Sequence, residues 1–258
     1  MRVTVCQLTN DAGALEEEWA ALGEHVRSEL SDFVLLPEMP FYRWLAASAD
    51  PQPAGWIEAV HAHEAWCRRL HQLDALTVAA SRPVTDGDHN YNEGFVWESK
   101  PGELTAVHRK RYLPKEDGFW EASWYSPGPG SFLPAGTAQA RVGFLICSEL
   151  WFSRHARDYG KQGVQLLLSP RATLASTTDK WIAGGRVAAV ASGAYSLSSN
   201  FAGDAGGAGT WGGAGWIIEP EEGDVLGVTS NEVPFLTLEI ELGLADAAKS
   251  TYPRYILD

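Results

Sequence analysis

Short apolar runs alternate with stretches of helical spacing along the first third of the chain. Strands are predicted at about 3–8, 33–36 and 76–80, and the second run is wholly apolar, which is typical of a strand buried on both faces. Helices are predicted at about 14–30 and 56–73. In the first helix Leu15, Trp19, Leu22 and Val26 recur on one face. This part of the chain therefore has the pattern of strand–helix units.

Strand-like runs become adjacent in the second half of the chain. They lie at about 91–98, 104–109, 142–147, 165–169, 195–201, 216–219 and 234–241, with helices predicted at about 148–162 and 180–194. This pattern indicates the α/β class. The glycine-rich segment 203–215 lacks the Gly-Lys-Ser/Thr ending of a phosphate-binding loop, and no helical pattern follows it. We expect a flexible or tightly turned loop there.

Length and composition favour one large domain. The 258 residues show no shift in composition that would mark a linker, so we predict a single domain over 1–258 with a C-terminal tail at about 243–258. The 20 Lys and Arg against 33 Asp and Glu give a net charge of −13. A surface of that sign repels nucleic acid and anionic membranes, so neither is an expected partner.

The cysteines and the N-terminal pattern indicate a cytoplasmic protein. Cys6, Cys67 and Cys147 are odd in number and far apart, which argues against a disulfide framework. No apolar run is long enough to cross a membrane, and the chain opens with a strand pattern rather than a signal peptide.

Three polar side chains stand at the ends of predicted strands. These are Glu38, Lys110 and Cys147, and side chains at the carboxyl ends of such strands converge on one crevice. Cys147 falls at a strand-to-helix turn, where the N-terminus of a helix would favour thiolate. The alternative is a buried, inert cysteine, the interpretation we give to Cys6 and Cys67. Taken alone, Glu38 and Lys110 are equally compatible with a surface carboxylate and a solvated basic cluster.

The sequences around these residues resemble three motifs of the nitrilase superfamily of carbon–nitrogen hydrolases. They are Leu-Leu-Pro-Glu-Met at 35–39, His-Arg-Lys-Arg-Tyr-Leu-Pro at 108–114 and Gly-Phe-Leu-Ile-Cys-Ser-Glu at 143–149. Glu121 and the Ser-Pro-Gly at 126–128 are similar to the second glutamate and turn of that family. Three motifs in the family order are a specific signal, whereas one would be weak.

The resemblance implies a four-layer αββα sandwich, a Glu38–Lys110–Cys147 triad and an amidase-like reaction. Cys147 would attack an amide carbon, and Glu38 would transfer protons. Lys110 and a backbone N–H would hold the oxyanion, and Glu121 would position Lys110 and the substrate. No metal or organic cofactor is implied. Copies of the chain would pair as a homodimer or larger homo-oligomer through faces around the helix after Cys147.

The residues around the motifs bear on the substrate. Ser148 stands where true nitrilases usually carry Trp, which favours an amide, carbamoyl or ureido compound over a nitrile. Arg171 and Arg154 depart from the family pattern, and Arg171 is a candidate partner for a substrate carboxylate or a structural ion pair. Ser148 is a candidate substrate-binding residue, and aromatic side chains near the triad could line an apolar pocket or a subunit contact. They are Phe41, Trp44, Trp120, Trp124 and Trp151.

Three other functions compete with this hypothesis. His63, Cys67 and His71 recur every four residues, but a structural zinc site needs a fourth ligand that the sequence does not supply. A Cys–His hydrolase would need a histidine base; His155 is eight residues beyond Cys147 on the predicted helix, and His108 stays open. The third alternative is a catalytically silent binding protein of the same fold.

Overall fold

The computed structural model describes residues 1–256. Its strands, in chain order, are β1 (Arg2–Thr9), β2 (Phe33–Leu35), β3 (Thr77–Asp86), β4 (His89–Glu98), β5 (Glu103–Arg109), β6 (Ala135–Gly136), β7 (Arg141–Phe144), β8 (Leu166–Pro170), β9 (Tyr195–Asp204), β10 (Thr210–Gly212), β11 (Trp216–Ile218), β12 (Val225–Val228) and β13 (Phe235–Glu239). The α-helices are α1 (Leu15–Ser28), α2 (Pro53–Cys67), α3 (Glu121–Trp124), α4 (Ser153–Lys161), α5 (Thr178–Ser192) and α6 (Leu242–Ala248).

The strands form two sheet layers that are joined at one place. In the first layer β1, β2 and β3 are parallel, while β4, β5 and β13 add antiparallel strands. In the second layer β7, β8 and β9 are parallel, and β6, β11 and β12 are antiparallel. A short parallel pairing of residues 7–9 of β1 with 200–202 of β9 connects the two layers.

The main core lies between the sheet layers. Val5 and Leu35 from the first layer share an apolar cluster with Phe144, Leu168 and Leu197 from the second, and all five are fully buried. Strands covered on both faces explain the wholly apolar runs in the sequence. Gly94 of β4 belongs to this contact, since a Cβ there would lie 2.9 Å from the Phe144 ring.

Helices cover the outer face of each layer. Trp19, Leu22 and Val26 of α1 pack on the first layer, as their spacing predicted. Ala188 of α5 and Tyr159 of α4 pack on the second. Helix, sheet, sheet and helix together make the four-layer αββα sandwich, so the predicted fold class is confirmed.

Local structure differs from the sequence prediction at three places. The predicted helix at 148–162 is a 3₁₀ turn (Cys147–Trp151) followed by α4, because Phe152 leaves helical geometry. The glycine-rich segment is not a loose loop: β10 pairs with β9 as a hairpin. The predicted tail contains α6, whose Ala245 and Ala248 are buried. The last two positions of that tail, 257 and 258, lie outside the described residues.

Helix length bears on the membrane question. Among residues 1–256, none of the helices is both long enough and apolar enough to cross a bilayer.

Candidate active site

The three strand-end residues meet at one edge of the sandwich. Glu38 follows β2, Lys110 follows β5 and Cys147 follows β7, so both sheet layers contribute to the site. Glu38 and Lys110 are completely buried, and Cys147 is only 4% exposed. The structure therefore brings together the residues that the motifs predicted.

One oxygen of Glu38 carries all of the hydrogen bonds of that carboxylate. Lys110 Nζ donates to Oε1 at 2.7 Å, and Asn92 Nδ2 donates to the same oxygen at 2.8 Å. The other oxygen, Oε2, is buried and has no hydrogen-bond partner among residues 1–256. Leaving a buried carboxylate oxygen without a donor is costly, so this position is suited to accept a proton from a reacting group.

Lys110 is held between two carboxylates. Its Nζ lies 2.7 Å from Glu38 and donates to Glu121 at 2.8 Å. Burial alone would lower the pKa of Lys110, but the charges of Glu121 and Glu38 outweigh burial and raise that pKa above its ordinary value. Lys110 is therefore a permanent cation, suited to stabilising negative charge and unsuited to acting as a base.

Glu121 has a different electrostatic balance. Burial raises the pKa of Glu121 to about 7, with Lys110 lowering it and the Glu38 charge raising it further. Lys110 and Glu38 thus act on Glu121 in opposite directions, and burial decides that the Glu121 carboxyl group titrates near neutral pH.

The backbone at Cys147 is in the left-handed region, with φ of +46°. An L residue rarely adopts this conformation, and it occurs here where β7 passes into the 3₁₀ turn. Cys147 lines a cavity although only 4% of the residue is exposed. This is the geometry of a nucleophile at a sharp turn.

The expectation that Cys147 is a helix-stabilised thiolate is wrong. The five-residue 3₁₀ turn is too short to provide a substantial dipole, and α4 begins only at Ser153. Burial raises the pKa of the Cys147 thiol, the Glu38 charge raises it further, and Lys110 only partly opposes them. These influences favour the neutral thiol, which must lose its proton as the sulfur attacks.

Glu149 fixes the turn that carries Cys147. Its buried carboxylate accepts hydrogen bonds from the backbone N–H of Ile146 at 2.9 Å and from that of Arg111 at 2.7 Å. His108 Nε2 lies 2.8 Å from the same carboxylate. One side chain thereby joins the residue before Cys147 to the residue after Lys110.

A cavity of about 350 Å³ opens above Cys147. Ser148 and Trp151, both predicted as substrate-binding residues, line it. The cavity also contains residues that the sequence did not single out, among them Phe119, Leu174 and Trp181. These half-buried apolar side chains lie between the buried thiol and the exposed rim.

Four of the predicted aromatic residues do not line this cavity. Phe41 stacks on Trp66 at 5.5 Å under the first sheet layer, and Trp44 packs against Trp211 at 6.1 Å. Trp124 donates its indole N–H to a backbone carbonyl at 2.7 Å, and Trp120 packs in the same cluster as Trp44. Each ring packs against other side chains of the protein and does not line the cavity.

Arg171 is a structural residue and does not face the cavity. Its guanidinium is buried and donates to Ser198 Oγ at 2.7 Å, Thr173 Oγ1 at 2.7 Å and the Ala214 carbonyl at 2.8 Å. It also lies 4.1 Å from the ring centroid of Trp216. All of these contacts are internal, so the interpretation of Arg171 as a partner for a substrate carboxylate is wrong.

The residues of the competing hypotheses lie elsewhere or have other partners. His63 is buried and accepts from the backbone N–H of Phe41 at 3.3 Å, while His71 is exposed on a separate 3₁₀ turn. His108 is held by Glu149, and His155 Nε2 lies 2.9 Å from the hydroxyl of Tyr112, to which Arg154 also donates. These contacts favour structural roles for the histidines.

Sequence reasoning missed Asn92 and the role of Glu149. Asn92 was visible only as one of several polar residues in the first half of its strand, and Glu149 only as a motif position two residues after Cys147. Nothing local to either position indicates which group it contacts.

Comparison with known proteins places the chain in a family. The model of the carbon-nitrogen hydrolase family matches residues 2–249. The chain is 29% identical over 143 residues to a citrullinase of Francisella tularensis, a match that covers 54% of this chain and 49% of that protein. It is 30% identical over 83 residues to an N-carbamoylputrescine amidase of Solanum tuberosum, covering 32% and 27% of the two chains. The matches thus span about half or less of these curated relatives.

A solved structure supports the fold. The carbon-nitrogen hydrolase of Helicobacter pylori G27 superposes with a TM-score of 0.84 at 22% identity, covering 99% of this chain and 94% of that one. The family match over nearly the whole chain decides the class: this protein belongs to the carbon-nitrogen hydrolase family, as the motif resemblance predicted.

Proposed function

We propose that this protein hydrolyses a non-peptide carbon–nitrogen bond in a small linear amide, carbamoyl or ureido compound through a thioester on Cys147. The observation that carries the proposal is the unpartnered Oε2 of Glu38, in a site where Lys110 holds the other oxygen and a cavity gives access to the thiol. The citrullinase and amidase among the relatives support the same bond class.

The first half-reaction begins with a neutral thiol. As the Cys147 sulfur forms a bond to the carbonyl carbon, its proton moves to Glu38 Oε2 and the carbonyl electrons move to oxygen. Lys110 is a cation close to the reacting centre and stabilises the resulting oxyanion. The carbon–nitrogen bond then breaks, and the leaving nitrogen takes the proton from Glu38. Ammonia or an amine departs, and a thioester remains.

The second half-reaction reverses the proton transfers. A water molecule takes the position that the leaving nitrogen has vacated, and Glu38 Oε2 removes its proton as the oxygen attacks the thioester. The carbon–sulfur bond breaks, the thiolate receives the proton from Glu38, and the acid is released. Asn92 and Lys110 hold Oε1 throughout, so Oε2 is the oxygen that exchanges protons in both steps.

The covalent step can be tested by intact mass. Wild type should show a Cys147-dependent acyl adduct and ammonia release with a panel of linear amides, ureido compounds and nitriles, and Cys147→Ala should show neither. Cys67→Ala is a matched control, because Cys67 is a half-buried thiol outside the cavity. Turnover of nitriles alone would contradict the proposed bond class. An unreactive Cys147 with no turnover would indicate a silent binding protein.

A further inference from the structure

Tyr125 is a buried phenol beside the active site. It directly follows α3, and its backbone N–H donates to the carbonyl of Glu121 at 3.0 Å, so the two residues are one helical turn apart. Only 4% of Tyr125 is exposed. Its ring packs against that of Trp56, with the ring centroids 5.9 Å apart, in a cluster that also contains Met39 and Ala172. Packing fixes the ring, so the hydroxyl is the part of Tyr125 that can act on the site.

The Tyr125 hydroxyl and one oxygen of Glu121 are complementary atoms that both lack a hydrogen bond. Among residues 1–256, neither the buried hydroxyl nor the buried Oε2 of Glu121 has a hydrogen-bond partner. Lys110 Nζ lies 2.7 Å from Oε2, but it donates its hydrogen bond to the other oxygen, Oε1. A phenol can donate a hydrogen bond and a carboxylate only accepts, and leaving both groups buried and unpaired costs free energy. Each atom therefore supplies what the other lacks.

The titratable groups around Glu121 come from several segments of the chain. Burial raises the pKa of Glu121 to about 7, Lys110 lowers that pKa, the Glu38 charge raises it, and the Tyr125 hydroxyl lowers it. Burial also raises the pKa of Tyr125 well above its ordinary value, and the charges of Glu121, Glu38 and Cys147 raise it further. The phenol therefore keeps its proton at neutral pH and lies close to the acidic groups of the site, where it can serve as a hydrogen-bond donor.

We propose that Tyr125 is a positioning residue of this site: its hydroxyl donates to Oε2 of Glu121 and thereby keeps that carboxylate charged and oriented towards Lys110. Glu121 lines the cavity above Cys147, whereas Tyr125 does not, so Tyr125 acts on the reaction only through Glu121. The effect on catalysis rests on the proposed function, but the hydrogen bond itself does not. With Oε1 bound to Lys110 and Oε2 bound to the phenol, neither oxygen of Glu121 is left without a donor.

The hydrogen bond can be tested without any substrate. The ionisation of Glu121 is followed by NMR of protein labelled with ¹³C at the glutamate side-chain carboxyl carbon, and the Glu121 signal is identified by its absence in Glu121→Gln. Tyr125→Phe deletes only the hydroxyl. Because a hydrogen bond to a carboxylate favours its charged form, this variant should move the midpoint of the Glu121 titration to higher pH by about one pH unit.

Tyr159→Phe is the matched control for the loss of a buried hydroxyl. Tyr159 is fully buried and donates to the carbonyl of Phe144 at 3.1 Å, so the variant removes a hydrogen bond of the core but none of Glu121. The titration of Glu121 should be the same in Tyr159→Phe as in wild type. A difference between the two tyrosine variants therefore reports the contact with Glu121 and not a general loosening of the fold.

The kinetic effect of Tyr125→Phe should depend on pH. If Glu121 must be charged to hold Lys110, the decline of kcat/KM on the acid side should move to higher pH together with the Glu121 titration. A move of about one pH unit corresponds to a loss of about fivefold at about pH 7 and to values within about twofold of wild type at about pH 9. A merely structural defect would lower kcat/KM by the same factor at both pH values.

The outcomes separate this proposal from the proposed function. An unchanged Glu121 titration in Tyr125→Phe, or an equal change in Tyr159→Phe, would overturn the hydrogen bond whether or not the protein hydrolyses any compound. A change in Tyr125→Phe alone would sustain the hydrogen bond even without turnover by wild type, and only the hydrolytic function would then be contradicted. In an active enzyme, a changed titration with an unmoved pH profile would overturn the positioning role of Tyr125.

Discussion

The imidazole of His108 lies 2.8 Å from the carboxylate of Glu149, and both side chains are buried. A carboxylate only accepts hydrogen bonds, so Nε2 of His108 carries the proton in this contact. The same carboxylate also accepts from the backbone of Ile146 and Arg111. This contact network links the β7 end, where Cys147 lies, to the β5 end, where Lys110 lies.

Glu149→Gln should lower activity without removing any reacting group. In the variant, the side-chain NH₂ replaces one carboxylate oxygen and would face a backbone N–H, of Ile146 or of Arg111, that donates to that oxygen in wild type. Two donors cannot form a hydrogen bond with each other, so the turn before Cys147 should shift. We expect about a 100-fold loss in kcat and a decrease of about 3 kcal/mol in the free energy of unfolding. Steady-state kinetics and urea denaturation measure the two effects. Wild-type activity together with wild-type stability would show that the network does not position the nucleophile.

Glu38→Gln should reduce kcat by roughly 100- to 10,000-fold, the range for loss of a general base. The Gln side chain can still accept a hydrogen bond from Lys110, although a weaker one than the carboxylate does. It cannot take up the proton of the thiol or of water, so both half-reactions should slow. The measurement is ammonia release under saturating substrate, with the exposed Glu24→Gln as a control for the loss of one carboxylate. A kcat within a few-fold of wild type would mean that another group moves the proton.

The pH dependence of kcat/KM should report the protonation of Glu121. Burial raises the pKa of Glu121 to about 7, so Glu121 gains a proton as the pH falls through that value. Protonation removes one of the two charged carboxylates that hold Lys110 in place, so kcat/KM should decline below about pH 7 and be retained above it.

Glu121→Gln tests whether Glu121 causes the decline of kcat/KM on the acid side, the acid limb of the pH profile. The substitution removes the carboxyl group whose pKa burial raises to about 7, so the decline of kcat/KM below that pH should disappear or move to lower pH. Asp86→Asn, which alters an exposed carboxylate outside the site, should leave the limb in place. An unchanged decline in Glu121→Gln would show that another group causes it.

Arg171→Met should destabilise the fold by about 3 kcal/mol, since Ser198, Thr173 and the Ala214 carbonyl each lose a buried donor. Arg171→Lys keeps a cation but loses the planar set of donors, and we expect an intermediate loss. Urea denaturation of wild type and both variants gives the free energies. If both variants were as stable as wild type, the internal contacts of Arg171 would not contribute to folding.

The fold class and the candidate reacting residues could be predicted from the sequence because both depend on local signals. Apolar runs mark where buried strands end, and Glu38, Lys110 and Cys147 stand at those ends. The strand ends then bring them together, although β2 and β7 belong to parallel pairs in different layers and β5 pairs antiparallel with β4. The helical spacing of the apolar residues in α1 was equally visible in the sequence, and Trp19 and Leu22 pack on the sheet as predicted.

The pocket was harder to predict because side-chain direction depends on tertiary packing. Trp44, Trp124 and Trp151 all stand in short segments near the triad, yet the first two are buried in a packed cluster and Trp151 is 44% exposed at the cavity. Asn92 reaches Glu38 from β4, a contact between residues 54 positions apart. Such pairings follow from how loops and strands fold over one another, which spacing along the chain does not encode.

The two carboxylate oxygens of Glu38 have different surroundings, and this difference has a kinetic consequence. Since Oε1 is occupied by Lys110 and Asn92, the proposed mechanism uses Oε2 twice: it first gives a proton to the departing nitrogen and then takes one from the incoming water. The proposed mechanism is therefore of the ping-pong type, in which the first product leaves before the second nucleophile enters. Under that mechanism a small nucleophile such as hydroxylamine should take the place of water at that stage, and the same residues should then catalyse acyl transfer.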